Sequence, residues 1–240
     1  MYGCADPGDD GPPSYGFTVT NKASCEASDC NGKPYQSDPV IQIRPKKARA
    51  MWFFARFYSA SEAKKRGLIN AVVSSCYRVR NINGKPFSFS FAYHSYLLVS
   101  DISEVRIEGL ETLDYLDNLC HKERFTEQGD AITFESEIDR VYLSTPNVIA
   151  VLDHERKRTF VIRKEGLPDV VVWNPWEKKS KAMMDFGDEE YKQMVCVDAA
   201  AIEKPITLKP GEEWTGRLEI LVVPSSFCSD NLDPSPSLQP

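Results

Sequence analysis

Residues 78–107 read RVRNINGKPFSFSFAYHSYLLVSDISEVRI. Residues 78–82 alternate in polarity. Asn83 and Gly84 tolerate φ > 0, Pro86 breaks the chain, and Phe87, Phe89 and Phe91 then fall on one face. That pattern predicts a hairpin with its second strand over 87–93 and His94 just beyond it, between Tyr93 and Tyr96. Short alternating or apolar segments recur at 104–108, 131–135, 140–143, 148–153, 158–164, 169–173, 194–200 and 214–223. Gly129, Asp130, Pro146, Asn147, Gly166, Pro210 and Gly211 supply turn chemistry between them. A period of two, interrupted this often, predicts a mainly β chain folded as an antiparallel sandwich or barrel. Residues 180–184 are long enough for one helical turn.

The pattern is different before residue 78. Residues 1–44 hold ten of the 29 Gly and Pro, too many for a periodic element, and read as a disordered leader. Residues 45–77 change character: Met51, Phe54, Phe57 and Tyr58 recur near helical spacing, which predicts a helix over 46–58. Ser61 begins a second short helix and Gly67 ends it. The tail, 227–240, is polar and proline-rich and reads as frayed.

Composition narrows the function classes. Of the 240 residues, 42% are hydrophobic and 27% charged, the balance of an ordinary globular protein. A net charge of −6 disfavours a nucleic-acid partner, which calls for a basic face. No apolar run approaches the roughly 20 residues of a membrane helix. The acidic start MYGCADPGDDGPP does not resemble a targeting peptide, so the cytoplasm is the expected compartment. The seven cysteines, Cys4, Cys25, Cys30, Cys76, Cys120, Cys196 and Cys228, read as reduced thiols. Neither Cys25 with Cys30 nor Cys120 with His121 has zinc-site spacing, so no metal is expected.

Several longer strings carry a resemblance: FSFAYHSYL, ERFTEQGDAITFESEIDRVYLS, VVVWNPWEKK, DFGDEEYKQMVCVD and PITLKPGEEWTGRLE. Over residues 78–226 the chain resembles the plant branch of the hexose-6-phosphate mutarotases, the glucose-6-phosphate 1-epimerase-like proteins of the galactose-mutarotase-like superfamily. The resemblance implies the C-terminal part of such a protein: an incomplete antiparallel β-sandwich acting on hexose 6-phosphates, without cofactor, and monomeric by default. It implies that His94 serves the sugar ring oxygen as acid and that Asp139 holds sugar hydroxyls. Asp198 stands where the family's general base is usually glutamate, one methylene longer. The alternatives for the two carboxylates are a surface pairing of Asp139 with Arg140 and an amide-capping role for Asp198. His121 and His154 match no catalytic position. Trp173 and Trp176 serve either as stacking platforms for a sugar or as core.

The strings PKKARAMWF and SEAKKRGLINAVV, within residues 45–75, resemble a different family, a short fragment of a crotonase-superfamily naphthoyl-CoA synthase, and bring no site residue with them. The chain therefore reads as a composite of leader, fragment and partial mutarotase. The arginine-rich strings that hold phosphate in the mutarotase family are not found in it, and Arg44, Arg49 and Arg56 do not match them. The implied activity is interconversion of hexose 6-phosphate anomers. A noncatalytic carbohydrate-binding remnant and a chimeric product without function are the alternatives.

Overall fold

The alternating segments become two packed sheets. The computed structural model describes residues 17–20, 40–43, 51–57, 72–82, 84–183 and 186–225, the first three groups and residues 72–73 by backbone alone. One sheet has eight strands in the order β1 (Phe17–Thr20), β3 (Met51–Phe57), β5 (Phe87–Leu98), β13 (Met194–Leu208), β12 (Asp169–Asn174), β9 (Ile138–Tyr142), β7 (Asp114–Asp117) and β8 (Glu123–Thr126). The other has six, in the order β2 (Val40–Ile43), β4 (Val72–Asn81), β14 (Glu213–Pro224), β11 (Arg158–Glu165), β10 (Val148–Asp153) and β6 (Val105–Glu108). The ladders from β4 onward are antiparallel, whereas β1 on β3, β3 on β5 and β2 on β4 are parallel. A short helix, α1 (Trp176–Ala182), follows β12.

The core lies between the sheets. Phe89, Phe91 and Tyr93 of β5, with Val195, Val197 and Ala199 of β13, meet Tyr77, Leu218, Phe160, Ile162 and Val151 of the opposite sheet. Phe91 is the hub of an aromatic cluster, with ring centroids 5.7 Å from Tyr77 and 5.0 Å from both Tyr93 and Trp214. Each such burial is worth roughly 1.5–3 kcal/mol. Tyr93 ties the sheets together by a polar contact too, its hydroxyl donating to Gly216 O at 2.9 Å and Ser75 O at 3.2 Å. Asp153, fully buried, accepts from Ser100 N at 3.2 Å and Arg158 Nε at 2.9 Å, closing the end of the sandwich. Among the described residues no helix is long and apolar enough to cross a membrane.

Several expectations are corrected. Residues 78–82 and 87–93 do not form a hairpin, because β4 and β5 belong to different sheets and the intervening link carries the chain from one to the other. The Asn81 side chain secures that crossing by donating to Leu208 O and Lys85 O. Strand β5 does not stop at residue 93 but continues to Leu98, so His94 lies within it. The segment 131–135 keeps its alternation, with Ile132 and Phe134 buried, yet contributes only the isolated bridge of Ile132 to Ile107. Met51–Phe57 is a strand rather than part of the helix expected over 46–58, because an aromatic-rich run satisfies its backbone equally well against β5. Likewise Phe17–Thr20 and Val40–Ile43, within the expected disordered leader, are strands. The strands of the N-terminal portion thus pair with the β5 and β4 edges. The helix expected from Ser61, the rest of the leader and the tail from 227 lie outside the described residues.

Candidate active site

Strand alternation decides which side chains share the second face of the eight-stranded sheet. On β5, Phe91, Tyr93 and Leu97 enter the core, so Ala92, His94 and Tyr96 point the other way. On β13, Val195, Val197 and Ala199 enter the core and Cys196 and Asp198 share the face of His94. Register sets the neighbours. One row across four strands runs Asp139, Trp173, Cys196, Tyr96. The next runs Val141, Val171, Asp198, and His94 completes it between the Tyr96 and Ala92 pairings.

His94 and Asp198 touch. Nδ1 of the imidazole lies 2.9 Å from Asp198 Oδ2, and the other carboxylate oxygen accepts from Ser95 N at 2.5 Å. The Asp198 side chain is 1% exposed and that of His94 13%, so the carboxylate is sealed while the imidazole reaches the surface. An ionised carboxylate only accepts, which places the hydrogen on Nδ1 and leaves Nε2 as the acceptor. Nε2 lies 2.9 Å from the Tyr96 hydroxyl, which donates to it in this tautomer. The arrangement is a buried carboxylate orienting an imidazole whose outer nitrogen can take and return a proton. The sequence reading named His94 as acid and Asp198 as base; in the structure the two side chains are in contact.

Asp139, on β9, sits three strands from His94 and two from Asp198, about 14 Å and about 10 Å across the sheet at ordinary strand spacing. It is buried and accepts from Asn118 Nδ2 at 2.7 Å. Loss of water raises its carboxyl above the usual carboxylate range, while the Asn118 amide and the Lys179 charge pull it back. The surface pairing with Arg140 is absent: that guanidinium reaches Glu127 at 3.2 Å and Asp117 at 3.6 Å. Between Asp139 and Cys196 stands Trp173, packed on Met194, Cys196, Tyr96 and Met183. Its indole N–H is buried with no acceptor among the described residues. Lys179 Nζ lies 6.0 Å from its ring centroid and pairs with Glu137 at 3.0 Å. Trp176 instead packs on the main core against Tyr191. His121 is exposed in a left-handed turn and His154 is exposed after β10, both remote from the dyad.

The sequence analysis gave no role to Tyr96, Ser95, Asn118 or Cys196. Cys196 and Asp198 are two apart on one strand, so their shared face was readable from MVCVD once that strand was assigned. The contacts of Tyr96, Ser95 and Asn118 depend on pairings between distant segments.

Comparison with known proteins agrees with this architecture. The aldose 1-epimerase family profile matches residues 70–221. A Cenchrus ciliaris protein named "Putative glucose-6-phosphate 1-epimerase" is 71% identical over 159 residues, covering 65% of this chain and 48% of that protein. A Salmonella typhimurium protein of the same name is 33% identical over 123 residues, covering 50% of this chain and 40% of that protein. The crystal structure of a "putative mutarotase" from Salmonella typhimurium superposes with a TM-score of 0.57 at 24% identity, covering 70% of this chain and 58% of that one, and shares its fold. The chain thus spans about half the length of the curated relatives it matches. On the match to residues 70–221 and the two-sheet fold, this chain belongs to the aldose 1-epimerase family.

Proposed function

We propose that this chain interconverts the α and β anomers of hexose 6-phosphates. The observation that carries the reading is the His94–Asp198 contact, which leaves the outer imidazole nitrogen of the partly exposed His94 as an acceptor beside the Tyr96 hydroxyl. Ring opening moves a proton from the anomeric hydroxyl to the ring oxygen, and both oxygens are bonded to the same carbon. A single imidazole therefore serves both. The anomeric hydroxyl displaces the Tyr96 hydroxyl as donor to Nε2, which takes the anomeric proton; Asp198 stabilises the resulting imidazolium through Nδ1–H, and Nε2 returns the proton to the ring oxygen as the C1–O5 bond breaks. Rotation about C1–C2 and reversal of the steps give the other anomer. Atoms and charge balance without a redox partner. Positioned acid–base catalysis of this kind contributes about 10²–10⁴-fold. Asp198 then acts as a positioning residue, not as the base in contact with sugar.

Asp139 supports a hydroxyl ligand on the same face: its carboxylate accepts from Asn118 and has acceptor capacity left for a sugar hydroxyl. The phosphate preference is carried by the names of the relatives.

The test is the anomerisation of α-glucose 6-phosphate and of α-glucose by the purified chain, followed by polarimetry. The reading expects acceleration above buffer, with a lower KM for the phosphorylated sugar because charge-assisted contacts are strong. Equal weak binding of both sugars without acceleration would leave the noncatalytic carbohydrate-binding reading in its place.

A further inference from the structure

Beside the proton-transferring pair lies a third side chain with no part in that chemistry. His94, Cys196 and Asp198 each offer one donor atom, and these atoms all lie within 4.8 Å of one another. Cys196 is fully buried and is not in a disulfide. Nitrogen, sulfur and carboxylate oxygen form the donor set of a zinc-class ion bound by three protein ligands with a fourth position open. Zinc-to-ligand bonds of about 2.0–2.3 Å at a tetrahedral angle set the donors roughly 3.3–3.5 Å apart. The imidazole and carboxylate stand at 2.9 Å and must part by about 0.4 Å, and the sulfur, no more than 4.8 Å from either, must close by up to about 1.3 Å.

The surroundings are built as an outer shell. Metal-bound histidine usually passes its other ring N–H to an oxygen, and the Tyr96 hydroxyl stands 2.9 Å from Nε2. Metal-bound carboxylates are themselves hydrogen-bonded, and Ser95 N–H holds the second oxygen of Asp198. His94 is the most exposed of the three donors, its side chain 13% exposed against 1% for Asp198.

We propose that His94 Nδ1, Cys196 Sγ and Asp198 Oδ2 form a binding site for one thiophilic divalent cation of the zinc class. Binding moves the imidazole hydrogen from Nδ1 to Nε2, where the Tyr96 oxygen accepts it. The thiol loses its proton, so one proton is released per ion. No redox change is involved. The ion is an inhibitor of the epimerase reaction, a consequence that rests on the function proposed above. It occupies the Asp198 contact and leaves Nε2 protonated, unable to accept the anomeric proton.

Titration of the full chain with Co²⁺ tests the site without reference to activity. A sulfur-to-cobalt charge-transfer band in the near ultraviolet, saturating at one ion per chain and removed by Zn²⁺, is the expected result. Cys196→Ser should abolish the band and weaken binding by more than about 100-fold, beyond the 10–100-fold typical of outer-shell losses. His94→Ala should weaken it as well, and this more exposed position covers the case in which the cysteine variant does not fold. Cys120→Ser, at an exposed thiol, should leave the band intact. No band, or a band that survives in a folded Cys196→Ser, overturns the proposal, the second result placing the ion on other thiols of the chain; where that variant does not fold, binding undiminished in His94→Ala overturns it. Zinc bound at this site with anomerisation at its full rate would contradict the inhibitory consequence, whereas a chain without anomerisation but with the band would retain the site and lose only the enzyme reading.

Discussion

Asp198→Asn is the most informative single change at the dyad, because the structure dictates how asparagine must sit. Ser95 N–H points at Oδ1 from 2.5 Å, so only the amide oxygen can occupy that position. The amide NH₂ is then forced toward His94 Nδ1, where the carboxylate oxygen stood at 2.9 Å. Two donors cannot face each other, so Nδ1 must accept and the ring hydrogen moves to Nε2. The nitrogen that takes the anomeric proton is thereby blocked, and the charge that stabilises the imidazolium is gone. A wrong-tautomer substitution of this kind costs about 10⁴-fold in serine proteases, and positioned acid–base groups contribute about 10²–10⁴-fold. A fall of about 10²–10⁴-fold in kcat is expected, equivalent to roughly 3–5 kcal/mol of barrier. Stability should change little, since the Ser95 amide keeps its acceptor. The assay is the approach of α-glucose 6-phosphate to anomeric equilibrium, with a thermal melt on the same sample. A variant that melts with the parent and keeps its rate within about twofold would refute the reasoning.

Four further outcomes are expected. Asp139→Asn should raise KM for the sugar by about tenfold through loss of one good acceptor. Burial raises this carboxyl, so its charge costs stability at neutral pH, and the amide variant should melt no lower than the parent. A lower melting temperature would contradict that. Tyr93→Phe, which deletes the hydroxyl bridging Gly216 O and Ser75 O, should lose about 1–2 kcal/mol in urea unfolding, and no loss would remove it as a tie between the sheets. Burial lowers the Lys164 ammonium to about 8 from 10.5. Between those values the unfolded chain holds the extra proton, so stability should rise with pH across that window by up to about 3 kcal/mol, and Lys164→Met should lack that rise in urea titrations at pH 8 and 10. Gly166 has φ +70°, and a Cβ there would stand 2.1 Å from Thr215 O. Gly166→Ala should therefore cost more than about 2 kcal/mol, a loss that an unchanged melt would disprove.

The long strands were legible because their alternation is strict and their cores apolar: β10, β11, β12 and β14 appear close to where the pattern puts them. β7 and β8 were not. DYLD and ERFT carry too few apolar residues, and all four positions of β8 are exposed at the sheet edge, where nothing selects for a buried face. The supposed hairpin failed for another reason. Turn chemistry at Gly84 reports a change of direction, and a crossing between two sheets needs one as much as a hairpin does. Met51–Phe57 illustrates the limit of short apolar runs, whose spacing fits a helix until a neighbouring strand edge claims the backbone. At the site, His94, Asp139 and Asp198 were reached through the family resemblance, and their common face follows from strand parity. The contact between His94 and Asp198 could not be read, because it depends on the pairing of β5 with β13 across a sequence separation of 104.

The central claim is that His94 carries the proton. Its most direct test is the rate of anomeric exchange of glucose 6-phosphate, measured by magnetisation transfer with the full-length chain and with His94→Ala at equal concentration. Exchange above the buffer rate is expected for the parent and none above it for the variant. Equal acceleration by both would show that His94 does not carry the proton.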